Sequence, residues 1–103
     1  MNLTTLRTKI DACDTELVTL LAKRFAYTQQ IGKIKAQKGL PPKDKAREQA
    51  VLEHVRALAV QKKLSPDLIQ SMFAFLMRTV RLEHKKARNL FDKEKVLALP
   101  PQK

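Results

Sequence analysis

The sequence predicts an all-α chain of three helices, the first much the longest, that pairs with a second copy of itself. Three observations lead there. Apolar residues recur at three- and four-residue steps along most of the chain, and no segment alternates in the manner of a strand or reads as a hairpin. Breaks fall at Gly39-Leu40-Pro41-Pro42 and at Ser65-Pro66, which divides the chain into three periodic segments. The first segment is too long for the rest of one chain to cover.

That first segment runs from Leu3 to Lys38. Leu3, Leu6, Ile10, Cys13, Leu17, Leu20, Tyr27, Ile31 and Ile34 form a seam with one gap, and the vacant slot holds Arg24. Thr4 or Thr5 is the expected cap, and the helix should end at about Gln37 or Lys38. A helix of roughly 35 residues is about 50 Å long. A compact domain of this size has a radius of gyration of only about 13 Å. A second chain, most simply related by a two-fold axis, is the economical cover. Gly32 lies inside the helix at a cost of up to ~1 kcal/mol relative to alanine, which close helix approach would explain.

Glycine and two prolines end the first helix, and Asp44 then caps a second from Lys45 to about Lys62. Val51, Leu52, Val55, Leu58 and Ala59 make its apolar stripe. Ser65-Pro66-Asp67 starts the third helix with a cap, a first-turn proline and an acid on the positive dipole end. Its buried face is Ile69, Met72, Phe73, Leu76, Met77 and Val80, continuing to His84, Ala87 and Phe91. The domain therefore spans 1–91, and 92–103 is expected to be a frayed tail.

Charge narrows the partner. Lys and Arg number 21 against 10 Asp and Glu, a formal net of +11, which calls for something anionic: nucleic acid, a membrane surface or a small acid. No apolar stretch approaches the ~20 residues of a membrane span. No signal peptide is visible, so the cytoplasm is the expected compartment. Cys13, the single cysteine, sits on the seam and should be a buried thiol with no disulfide. His54, His84 and Cys13 give no zinc-ligand spacing, and no phosphate loop, dinucleotide fingerprint or nucleophile elbow is present. Nucleic acid is disfavoured because one tyrosine and four phenylalanines leave little to stack on bases.

What remains is polar residues in apolar places. Arg24 and Lys35 share a face of the first helix, and Arg7 flanks the same seam too far away to reach one small ligand within a single chain. In an antiparallel pairing, Arg7 of one copy meets Arg24 and Lys35 of the other. Asp44, Arg47 and Glu48 cluster within one turn, and His84 lies on a buried stripe. Bland alternatives stand beside these. Arg24 has Asp14 or Glu48 as possible partners, Asp44 is explained as a cap, and a lone histidine on an apolar face is usually a satisfied core residue.

The stretches Leu6-Arg7-Thr8-Lys9-Ile10-Asp11, Leu20-Leu21-Ala22-Lys23-Arg24, Ile31-Gly32-Lys33-Ile34-Lys35 and Asp44-Lys45-Ala46-Arg47-Glu48-Gln49 occur in one register with Asp14, Leu64-Ser65-Pro66 and Met72-Phe73. Over about Leu3 to Lys86 the chain resembles the all-helical, type II chorismate mutases (the AroQ class). The resemblance implies an intertwined homodimer with two sites, each built from both copies, that rearranges chorismate to prephenate without cofactor or metal. It implies that Arg7, from across the dimer, and Arg24 hold the substrate carboxylates. Lys35 would donate to the ether oxygen and a carboxylate. Asp44 and Glu48 would meet the ring-hydroxyl end, with Arg47 at the same edge. A pericyclic rearrangement needs no nucleophile, only a held chair and donors for charge developing on the ether oxygen.

Two positions depart from the common pattern. His84 stands where a glutamine usually donates to the ether oxygen, so His84 is expected as that second donor. Val80 stands where a serine often contacts a carboxylate. These departures keep two relatives of the same fold in view, the isochorismate pyruvate lyases and the 4-amino-4-deoxychorismate mutases. A non-catalytic basic dimer that binds nucleic acid is the alternative from another class.

Overall fold

The computed structural model describes residues 1–97. It contains α1 (Leu3–Lys38), α2 (Lys45–Gln61) and α3 (Pro66–Leu97), and no strand among those residues. Helix α1 begins earlier than expected. Its cap is Asn2, whose Oδ1 accepts from the Thr5 amide at 2.8 Å, and not Thr4 or Thr5. Asparagine is the better cap, and its position leaves both threonines in the first turn. Thr8 instead bonds back to the Thr4 carbonyl.

At the other end Gly39 adopts φ 67°, and the Leu40 amide reaches back to the Lys35 carbonyl at 2.8 Å. This left-handed close suits glycine because a Cβ there is strained. Asp44 caps α2, accepting from the Arg47 amide at 3.0 Å. Ser65 caps α3 by accepting from the Leu68 amide. Arg56 of α2 bonds Asp67 at 2.9 Å and Gln70 at 2.7 Å, which ties the two helices beside their connection. Helix α3 continues to Leu97, through Asp92 and into the stretch expected to fray; residues 98–103 of that stretch lie outside the described residues.

Helix α3 packs on both of the others, whereas α1 and α2 form no packed interface with each other. Met77 and His84 of α3, Val55 and Ala59 of α2, and Gly32 and Ala36 of α1 are the buried residues. Their spacing on each helix is the three- and four-residue stripe that the sequence displays.

The coverage is one-sided. Every residue from Met1 to Leu20 is exposed, including Leu6, Ile10 and Leu17. Cys13, on the same seam, is exposed in the single chain too, because nothing in one chain reaches that half of α1. The molecule measures 76 × 29 × 15 Å, with a radius of gyration of 19.1 Å. Its accessible surface is 8,731 Å², against about 5,900 Å² for a folded monomer of this mass. No helix among the described residues is long and apolar enough to cross a membrane.

Candidate active site

The three helices converge on a cavity of about 350 Å³, within the range of small-molecule sites. Helix α1 contributes Arg24, Thr28, Ile31 and Lys35 from its covered half, one residue per turn or less. The first turn of α2 brings Arg47 and Glu48 with the cap residue Asp44. Helix α3 adds Met77, Val80 and Arg81. Arg24, Lys35, Arg47 and Arg81 face Asp44 and Glu48, so the wall carries a net charge of +2.

Arg24 is the least satisfied of these groups. Its Nη1 is buried and has no hydrogen-bond partner among the described residues. Neither Asp14 nor Glu48 pairs with it. Its guanidinium lies 5.7 Å from the centre of the Phe73 ring, a cation–π contact that holds the head group without using its N–H donors. A buried donor left open costs about 1–3 kcal/mol, more when charged, so such a donor on a cavity wall is suited to an anionic ligand.

Lys35 is held more tightly. Its Nζ donates to the Pro42 carbonyl at 3.1 Å and lies 3.3 Å from His84 Nδ1. Glu48 is engaged by Arg81 in an ion pair between α2 and α3, with one-fifth of the Glu48 side chain exposed. Asp44 keeps its capping bond while its side chain borders the cavity.

The structure thus brings together Arg24, Lys35, Asp44, Arg47, Glu48 and Val80. It leaves two of the predicted residues elsewhere. Arg7 is on the uncovered half of α1, about 25 Å along the helix axis from Arg24. His84 is 5% exposed and sits behind the wall, with Nε2 2.7 Å from the Thr28 carbonyl. The expected presentation of His84 to a ligand therefore differs from its observed place, where α1 and α3 approach closely and the ring nitrogens face Thr28 and Lys35. Gly32 is the reason the helices can. A Cβ on residue 32 would meet His84 Cδ2 at 2.6 Å.

Arg81 was missed by the sequence argument. It lies four residues after Met77 and three before His84, a seam slot on α3 like that of Arg24 on α1. Its slot in that apolar stripe is the signal that marks it. Among the described residues no group of three His, Cys, Asp or Glu side chains is placed as metal ligands.

Comparison with known proteins places the chain in a family. Residues 6–85 match the family model for chorismate mutase type II. The chain is 42% identical over 73 residues to the T-protein of Haemophilus influenzae, covering 71% of this chain and 19% of that protein. It is 29% identical over 82 residues to a chorismate mutase of Methanocaldococcus jannaschii, covering 80% of this chain and 78% of that protein. A bifunctional chorismate mutase/prephenate dehydratase of Buchnera aphidicola is 31% identical over 80 residues, 78% of this chain and 22% of the relative. The chain spans about a fifth of the length of the first and third of these relatives. The matched span covers most of the chain, and the chain belongs to the type II chorismate mutase family.

Proposed function

We propose that the protein rearranges chorismate to prephenate, the branch-point step toward phenylalanine and tyrosine. One observation carries the reading: a buried, unpartnered Arg24 Nη1 on the wall of a cavity whose side chains sum to +2. Chorismate is a dianion of suitable size, and its carboxylates would give that donor a charge-assisted bond. The relative from Methanocaldococcus jannaschii, most of whose length the chain covers, is named a chorismate mutase.

In this reading Arg24 holds a carboxylate, and Lys35 donates to the ether oxygen and a carboxylate. Asp44 and Glu48 meet the ring-hydroxyl end, with Arg47 at the same edge. As the C–O bond breaks and the C–C bond forms, negative charge grows on the ether oxygen, and no proton has to move. Fixed donors lower the barrier because they need no reorientation at that moment. A million-fold acceleration corresponds to about 8 kcal/mol. Restricting the flexible ether to its compact chair supplies a further part of that.

The working unit in this reading is a two-fold homodimer in which Arg7 of one copy completes the site of the other. Leu3 is 62% exposed, Ile10 56% and Leu20 62%, an apolar row along the half of α1 that one chain leaves bare. A second copy would cover it and bring in Arg7.

The test offers purified protein chorismate, isochorismate and 4-amino-4-deoxychorismate and identifies the products. Prephenate from chorismate alone is the expected result. Turnover of either other substrate instead would move the chain to a relative with an altered substrate edge, where Val80 and Arg81 lie. No turnover, with salt-sensitive DNA binding, would replace the enzyme reading by a binding module.

A further inference from the structure

His84 is the buried polar side chain of the described core, and its two partners define its chemical state. Nε2 lies 2.7 Å from the Thr28 carbonyl oxygen, which can only accept, so Nε2 carries a hydrogen. Nδ1 faces the Lys35 ammonium at 3.3 Å, which can only donate, so Nδ1 presents its lone pair. Both conditions hold together only for a neutral ring protonated on Nε2. Such a ring has no N–H left for a ligand, and it does not border the cavity.

Lys35 is the beneficiary. An ammonium has three hydrogens on a flexible stem. One goes to the Pro42 carbonyl and one to His84 Nδ1, which fixes rotation about the last bond and leaves a single hydrogen for the cavity that Lys35 lines, shared between the ether oxygen and a carboxylate in the chorismate reading. The seat is built from three places: Thr28 and Gly32 on α1, Pro42 in the connection, and His84 on α3. Gly32 belongs to it because any Cβ there would strike the ring.

We infer that His84 is a positioning residue, a neutral acceptor that aims the Lys35 ammonium at the cavity and does not itself touch the substrate. What Lys35 then does rests on the chorismate reading; the state of the ring rests on geometry alone. Aligning a donor before the reaction removes an orientational cost from the barrier.

Protonation separates this role from that of a direct donor. A protonated His84 has no lone pair for Lys35 and places a second cation beside it, so the aim is lost. For a ring that donated to the substrate, protonation would add a donor and a favourable charge. Lys35 is the charged group in contact with the ring. Arg81 and Arg88 flank it on α3, occupied by Glu48 of α2 and by Asp92, and neither carboxylate bonds the imidazole.

The experiment has two readouts. Long-range ¹H–¹⁵N NMR spectra of the neutral imidazole should show the Nε2–H tautomer alone. For chorismate turnover, wild-type kcat/KM should fall about tenfold toward acid pH. His84→Gln should lose that acid limb. Its amide can still donate to Thr28 and accept from Lys35, and it does not titrate. An Nδ1–H tautomer overturns the inference, as does a wild-type profile that is flat or rises toward acid, or an acid limb that persists in His84→Gln. If wild-type protein turns over no chorismate, the functional reading fails, and the tautomer still decides the place of His84.

Discussion

Arg81 of α3 is ion-paired with Glu48 of α2 on the wall of the cavity, with about one-third of the arginine side chain exposed. Both residues line the cavity, and the proposed reading puts the ring hydroxyl beside Glu48. Its partial burial gives it more weight than a surface ion pair and less than a fully desolvated one. Arg81→Met should destabilise the fold by about 1–2 kcal/mol, because Glu48 is left without its counter-ion. Glu48→Gln with Arg81→Met should recover part of that loss. Denaturant unfolding of the two single variants and the double variant measures the coupling, and purely additive effects would count against the pair.

Arg24 should show the opposite balance of activity and stability. Its Nη1 is buried without a partner, so Arg24→Met removes an unsatisfied charged donor along with the contact to Phe73. We expect kcat/KM for chorismate to fall on the order of 10²–10³-fold, the usual loss of a charge-stabilising donor. Stability should hold within about 1 kcal/mol or rise. A thermal melt beside the assay decides it, since a large drop in Tm would mean that Arg24 is structural.

Gly32→Ala sets two known effects against each other. Alanine favours the helix by up to ~1 kcal/mol, yet its Cβ would lie 2.6 Å from His84 Cδ2. The ring cannot yield freely while Nε2 is bonded to the Thr28 carbonyl. The steric cost should win, with a net loss of about 1–2 kcal/mol in urea unfolding. A stabilised variant would show that α1 and α3 are less closely fitted there.

The proposed sharing of Arg7 has a direct genetic-style test. Arg7→Ala and Arg24→Met chains should each be nearly inactive as homodimers. After co-refolding, mixed dimers regain one site with both arginines intact if Arg7 acts in the other copy's site. Random pairing then yields about one-quarter of wild-type activity. If Arg7 served its own chain, no mixture would recover activity. Sedimentation at micromolar concentration should give the dimer mass, and Ile10→Glu, on the exposed row of α1, should shift it to the monomer.

Much of the fold was legible along the chain because helical structure is written in local signals. Gly39, Asp44 and Ser65 mark ends through cap chemistry that involves only near neighbours. The cap lies at Asn2 and not at Thr4 or Thr5, because three polar residues among the first five compete and only backbone geometry separates them. Most of the site was legible for a similar reason. Arg24 interrupts an apolar seam, and Asp44, Arg47 and Glu48 form one turn, so spacing marks each set, while joining the two in one site rested on the family resemblance.

Other relationships depend on distance across the fold. That Glu48 belongs to Arg81 and not to Arg24 follows from how α2 lies on α3, 33 residues apart in the chain. His84 illustrates the same limit. Its position on a buried stripe was evident, but whether its nitrogens face a ligand or the protein depends on how closely α1 passes, which Gly32 permits. By itself the sequence determined three helices, a first helix too long for one chain, and a set of cations that needs an anion, because periodicity, capping and charge are local or additive properties. Only the tertiary structure decided which cation stays unpaired and which is held by a histidine, because those are outcomes of competition for partners in three dimensions.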